Sequence, residues 1–199
     1  HGTGASLHTW EGWAAYFAPQ KRVIRLDLPA FGLTGPTPDG LYGMDQYVAI
    51  LHEFLQKTKV KTCILAGNSL GGAIAWHYAL AHPDQVDRLV LVNAAGYPFE
   101  STSQPIPFRM ARVPIIKSLF KWITPRSIVR KSLENVYAAP EKVTEDLVTQ
   151  YYELSCRAGN REAFVIRMNQ GFATDTWKRI PTIQHPTLIL WGVEDRLIP

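Results

Sequence analysis

Gly67-Asn68-Ser69-Leu70-Gly71-Gly72 follows the apolar run Thr62-Cys63-Ile64-Leu65-Ala66 and opens a helix-patterned stretch over 70–81 that stops before Pro83. A short β-branched run, a glycine-flanked serine and a helix, in that order, predict a sharp strand-to-helix turn. Such a turn forces Ser69 into an unfavourable backbone region and lifts its Oγ above the sheet. Gly67 and Gly71 flank it because a Cβ at either place would collide with the neighbouring chain. The helix starting at Leu70 directs its positive end to the same spot, where it favours negative charge. The competing reading is a glycine-rich turn whose serine merely caps the helix.

Working outward, three further runs read as buried parallel strands: 23–26, 88–92 and 187–191. Between them lie helical patterns. One spans 9–17, with Trp10, Trp13, Ala14 and Phe17 on one face; another spans 45–56, with Tyr47, Val48, Leu51, Phe54 and Leu55 inward. Alternating strand and helix predicts an α/β fold, with a mostly parallel sheet and flanking helices.

The alternation breaks over 97–180, which shows helical segments separated by Pro105, Pro107, Pro114, Pro125 and Pro140. That is too long for a plain loop. It reads as an inserted helical cap over the C-terminal strand ends, where α/β sheets bind ligands. The expected division is therefore core 1–96, cap 97–180 and a return to the core at 181–199.

Composition narrows the function. The chain has 199 residues, 46% hydrophobic and 19% charged, which is globular and argues against disorder. Two cysteines, Cys63 and Cys156, cannot make a disulfide scaffold. No Cys/His spacing suggests a metal, and no cofactor is implied. Of the net charge of +4, seven basic residues lie between Ser101 and Leu133 without an acidic one, leaving −3 in the remainder. A nucleic-acid footprint is not supported. Within that segment 114–123 is amphipathic, with Lys117 and Lys121 beside an apolar face. Its apolar side is expected to cover the site; contact with a membrane surface is the weaker alternative. No apolar stretch is long enough to span a bilayer. The chain opens on His1 in mid-motif and is expected to be a fragment cut at both ends, so its compartment is unreadable.

With His1-Gly2-Thr3-Gly4, Asp27-Leu28-Pro29-Ala30-Phe31-Gly32, the 67–72 motif and Trp191-Gly192-Val193-Glu194-Asp195 in this order, the chain resembles the α/β-hydrolase superfamily. The resemblance covers nearly everything outside the cap. It implies a nucleophilic Ser69, an oxyanion hole from the N–H groups of Thr3 and Leu70, and Asp195 as triad acid, with Glu194 as its rival. It also implies that the first strands and the last strand and helix are missing. One missing strand would lie between 23–26 and 62–66, so those two should not pair directly. Asn93 stands where some relatives carry their acid, and an amide cannot do that job.

The same order, serine then acid then histidine, places the base after Asp195, where only Arg196, Leu197, Ile198 and Pro199 follow. His1, His8, His52, His77, His82 and His185 sit in loops or on helices unsuited to the role. The base is expected downstream.

A serine rather than an aspartate at the elbow makes acyl transfer the leading expectation: hydrolysis of a small, largely apolar ester or acyl substrate. The alternative within the resemblance is a carbon–carbon hydrolase of ring-fission diketo acids. Such relatives usually carry an arginine for the substrate carboxylate a few residues after a Thr-Glu-Glu-Leu-like start. Here Thr144-Glu145-Asp146-Leu147 leads to Tyr151 at that place. Asn68 and Tyr151 are the candidate substrate contacts, and the expected partner is a small molecule. A non-catalytic ligand-binding member of the fold is the remaining alternative.

Overall fold

β1 (Cys63–Asn68), β2 (Val86–Val92) and β3 (Thr187–Leu190) form a parallel sheet in the order β1-β2-β3. Asn68 pairs with Val92, and Val92 with Leu190, so all three strands end at one level. The chain therefore leaves each strand at the same sheet edge, carrying Ser69, Asn93 and the 191–195 loop with it. The computed structural model describes residues 1–98, 100, 103–113, 120–170 and 175–199. They divide into two units: one of His1, Thr3–Gly40 and Gln104–Asn169, the other of Gly2, Leu41–Ser103 and Gln170–Pro199.

The second unit holds the sheet. α3 (Leu70–Ala81) is buried continuously from Leu70 to Ala79 and packs on β1 and β2. Its small residues Gly71, Gly72, Ala73 and Ala75 permit that close approach. α2 (Met44–Lys57) packs on α3 and buries Met44, Tyr47, Val48, Leu51 and Leu55. The helical period anticipates this face, although Phe54 is only half-buried. Each fully buried leucine is worth about 1.5–3 kcal/mol, so this stripe fixes the helix in place.

Two expectations about strands are corrected. Residues 22–28 belong to no strand, and Val23 and Ile24 are exposed; that β1 does not pair with them agrees with the expectation. A β-branched run becomes a strand only where a neighbour takes up its N–H and C=O groups. β3 pairs with β2, yet Leu188 and Ile189 are 52% and 63% exposed rather than buried. Apolar composition reports a preference for burial, and a covering layer must also be present.

The first unit contains α1 (Glu11–Phe17), α4 (Ile106–Met110), α5 (Arg126–Val136), α6 (Glu145–Cys156) and α7 (Asn160–Asn169). The aromatic face of the first helical pattern forms, with Trp13 edge-on to Trp10, but α1 buries none of its residues. α6 starts at Thr144, whose hydroxyl accepts the Leu147 N–H at 3.2 Å, a side-chain N-cap. Val129, Leu133, Val143 and Val148 form the apolar centre of this helical part.

Of the amphipathic stretch 114–123, residues 114–119 lie outside the described residues. Phe120 is buried, while Trp122 and Ile123 are exposed. Lys121 pairs with Glu162 at 2.9 Å, and Arg126 and Arg130 both pair with Glu145, so part of the local charge excess is neutralised internally. Among the described residues no helix is long and apolar enough to cross a membrane.

Candidate active site

Ser69 occupies the N-cap position of α3 at φ +50°, ψ −114°, yet its side chain makes no capping hydrogen bond. A merely structural serine would use its Oγ there. Instead the backbone holds the turn: Ser69 N donates to Val92 O at 3.0 Å, and Ser69 O accepts from Ala73 N and Ala95 N. A non-glycine residue in this region costs about 1–3 kcal/mol, and such strain clusters at functional sites. The tight approach behind it is at Gly67, where an added Cβ would lie 2.2 Å from Gly71 O and 2.6 Å from Gly72 N. The backbone of Gly71 and Gly72 thus supplies the wall against Gly67, and Gly72 is closed in turn by Ala94, whose Cβ would lie 2.6 Å from an added Cβ.

Gly2 approaches the same serine. A Cβ on Gly2 would lie 3.0 Å from Asn68 Oδ1, 3.2 Å from Ser69 Cβ and 3.7 Å from Ser69 Oγ. Backbone therefore passes beside the hydroxyl with no side chain between. Thr3 follows Gly2 in the chain. Leu70 is the first residue of α3 and 1% exposed, and its N–H is one of the first-turn donors that lack an intrahelical acceptor. Asn68 donates its amide to Val92 O at 3.1 Å, tying the end of β1 to β2.

Asp195 is half-buried in the loop after β3, whereas the rival Glu194 is exposed. Its Oδ1 accepts the N–H groups of Leu197 at 2.8 Å and Ile198 at 2.9 Å. Its Oδ2 accepts the side-chain amide of Asn93. The loop is closed by Trp191, whose indole N–H donates to Ile198 O at 2.7 Å.

All six histidines are engaged elsewhere. His1 is buried and accepts the Leu28 N–H on Nε2 at 2.9 Å, which commits that nitrogen as an acceptor. His8 bonds Ser6 Oγ, and His185 bonds Pro83 O. His52 stacks on His82 at 4.1 Å and bonds Tyr78 and Gln85. His77 is buried and bonds Ala73 O at 2.8 Å; burial holds its pKa below the ordinary value. None of them is among the partners of Asp195 in the described residues.

Tyr151 lies on α6, packed against the cluster of Val129, Leu133, Val143 and Val148. Burial pushes its hydroxyl pKa up, the neighbouring Tyr137 adds to the rise, and a hydrogen bond with Thr9 opposes it. Among the described residues no group of three His, Cys, Asp or Glu side chains is placed to hold a metal.

A family model for the alpha/beta hydrolase fold matches residues 1–199. The chain belongs to the alpha/beta hydrolase family. Over 210 aligned residues this hydrolase is 30% identical to 2-hydroxy-6-oxo-2,4-heptadienoate hydrolase of Pseudomonas putida, covering 100% of the chain and 71% of that relative. It is also 30% identical over 209 residues to 2-hydroxymuconate semialdehyde hydrolase of Pseudomonas sp. strain CF600, of which it covers 70%. Among solved structures it resembles a variant of the meta-cleavage product hydrolase CumD, with a TM-score of 0.82 and 26% identity over 100% of this chain and 73% of that one. A thermophilic esterase from Thermogutta terrifontis shares the fold, with a TM-score of 0.77 at 20% identity over 100% of the hydrolase and 71% of the esterase.

One site feature escaped the sequence reading. Asn93 looks unsuited because it is not an acid, but it grips Asp195. The available signal was its position at the end of β2, one strand over from the acid loop.

Proposed function

We propose that this hydrolase cleaves a carbon–carbon bond in a 2-hydroxy-6-oxo-dienoate-type acid, with Ser69 as nucleophile, Asp195 as triad acid and the N–H groups of Thr3 and Leu70 as oxyanion donors. The observation that carries the substrate class is the 30% identity, spanning the whole chain, with a hydrolase of 2-hydroxy-6-oxo-2,4-heptadienoate. The strained Ser69 backbone and its hydroxyl, which makes no capping hydrogen bond, support the nucleophile. Ser69 Oγ adds to the ketone carbon as its proton passes to a base. The carbon–carbon bond breaks, the leaving carbon takes a proton, and water releases the acyl group as an acid. Among the described residues none of the six histidines partners Asp195.

One observation favours a second reading, a neutral ester. Tyr151 stands where the resemblance implies an arginine, and it packs on an apolar cluster. A charged hydrogen bond to a carboxylate is worth about 1.5–3 kcal/mol, so a substrate acid loses that grip at this position. The test is full-length protein assayed with 2-hydroxy-6-oxo-2,4-heptadienoate and with p-nitrophenyl butyrate. The first reading expects kcat/KM for the dienoate to exceed that for the ester by more than about tenfold. The reverse order supports the ester reading, and turnover of neither supports a ligand-binding member.

A further inference from the structure

We propose that Asn93 is a positioning residue: it decides which oxygen of Asp195 is offered to the catalytic base. The inference rests on the serine-hydrolase reading of Ser69 and Asp195. A carboxylate has about four acceptor sites. Two donors, the N–H groups of Leu197 and Ile198, fill Oδ1. The Asn93 amide takes one site on Oδ2 and leaves the other. Oδ2 is therefore the oxygen with capacity for an imidazole N–H.

Leu197 and Ile198 belong to the acid's own loop and would move with it. Asn93 directly follows the neighbouring strand, β2. Its backbone N–H donates to Leu190 O at 2.9 Å, the last residue of β3, while its side chain reaches the acid five positions further on. It thus references the carboxylate to the sheet. Asn93 also stands just past β2 at φ +43°, a region asparagine enters more readily than most residues. An amide suits the task because it donates at every pH, whereas a carboxylate there would repel Asp195.

The test uses full-length protein, wild type beside Asn93→Gly and Asn93→Asp, with kcat and KM measured from pH 5 to 9 on whichever of the dienoate or p-nitrophenyl butyrate is turned over. Glycine accepts the backbone angle and removes the side chain that carries the donor. Asn93→Gly should lower kcat about tenfold with KM within about twofold, since misorientation costs the chemical step rather than binding. It should shift the acid limb of the kcat profile to lower pH, because a loosely held acid stabilises the imidazolium less. Asn93→Asp adds negative charge and should move that limb to higher pH. A merely structural role would not move the limb in opposite directions. Wild-type kcat in Asn93→Gly at every pH, or limbs moving the same way, overturns the inference while leaving the hydrolase reading intact. A wild type that turns over neither substrate overturns that reading and the inference with it.

Discussion

Gly2 lies so close to Ser69 that a methyl group on its Cα would come within 3.2 Å of the serine Cβ. Gly2 and the strand-to-helix turn thus meet at close quarters, and an alanine at Gly2 requires one of them to give. Gly2→Ala should displace Ser69 or the loop by a few tenths of an ångström. Such a shift at a reacting atom is expected to reduce kcat about tenfold or more. Melting temperature should change little. Steady-state kinetics beside a thermal melt checks both.

Gly67→Ala differs in kind, because its Cβ would meet backbone atoms of Gly71 and Gly72 that cannot rotate away. Overpacking of this sort costs about 1–3 kcal/mol, and rigid backbone contacts put it at the upper end. Urea denaturation should show a loss of about 3 kcal/mol, with activity falling through unfolding.

Ser69 should trade stability for function. At φ +50° a glycine is unstrained and a serine is not. Ser69→Gly should abolish turnover while raising stability by about 1 kcal/mol, whereas Ser69→Ala abolishes turnover and keeps the strain. Calorimetry of the two inactive variants separates them.

Much of this site is legible in the sequence. Gly67, Ser69 and Leu70 announce their turn because a strand running into a glycine-flanked serine has few other solutions. α3 matches the predicted bounds, 70–81, because Pro83 and the apolar run confine it. The misses share one cause, since they depend on distant partners. Residues 23–26 have strand composition but no ladder. β3 has core composition but open faces. Asn93 matters through Asp195, 102 positions away, a pairing that no local spacing encodes.

Stability should fall with acid. Burial lowers the His77 pKa below its ordinary 6.5, and burial with the neighbouring His52 lowers that of His82. In each case the unfolded chain binds the proton more tightly. The contribution is therefore full above about pH 6.5 and is lost as pH falls through the lower folded-state value. Asp45 and Arg179 act on His77 in opposite senses, and burial outweighs both. Urea midpoints should drop between pH 7.5 and 5, and a His77→Gln variant should show a flatter dependence.

The most direct measurement is covalent labelling of full-length protein with a fluorophosphonate probe, followed by mass spectrometry of the modified peptide. The expected result is one adduct on Ser69, absent from Ser69→Ala, which also loses turnover. An adduct on a different residue, or undiminished turnover by Ser69→Ala, would contradict the assignment of Ser69 as the nucleophile.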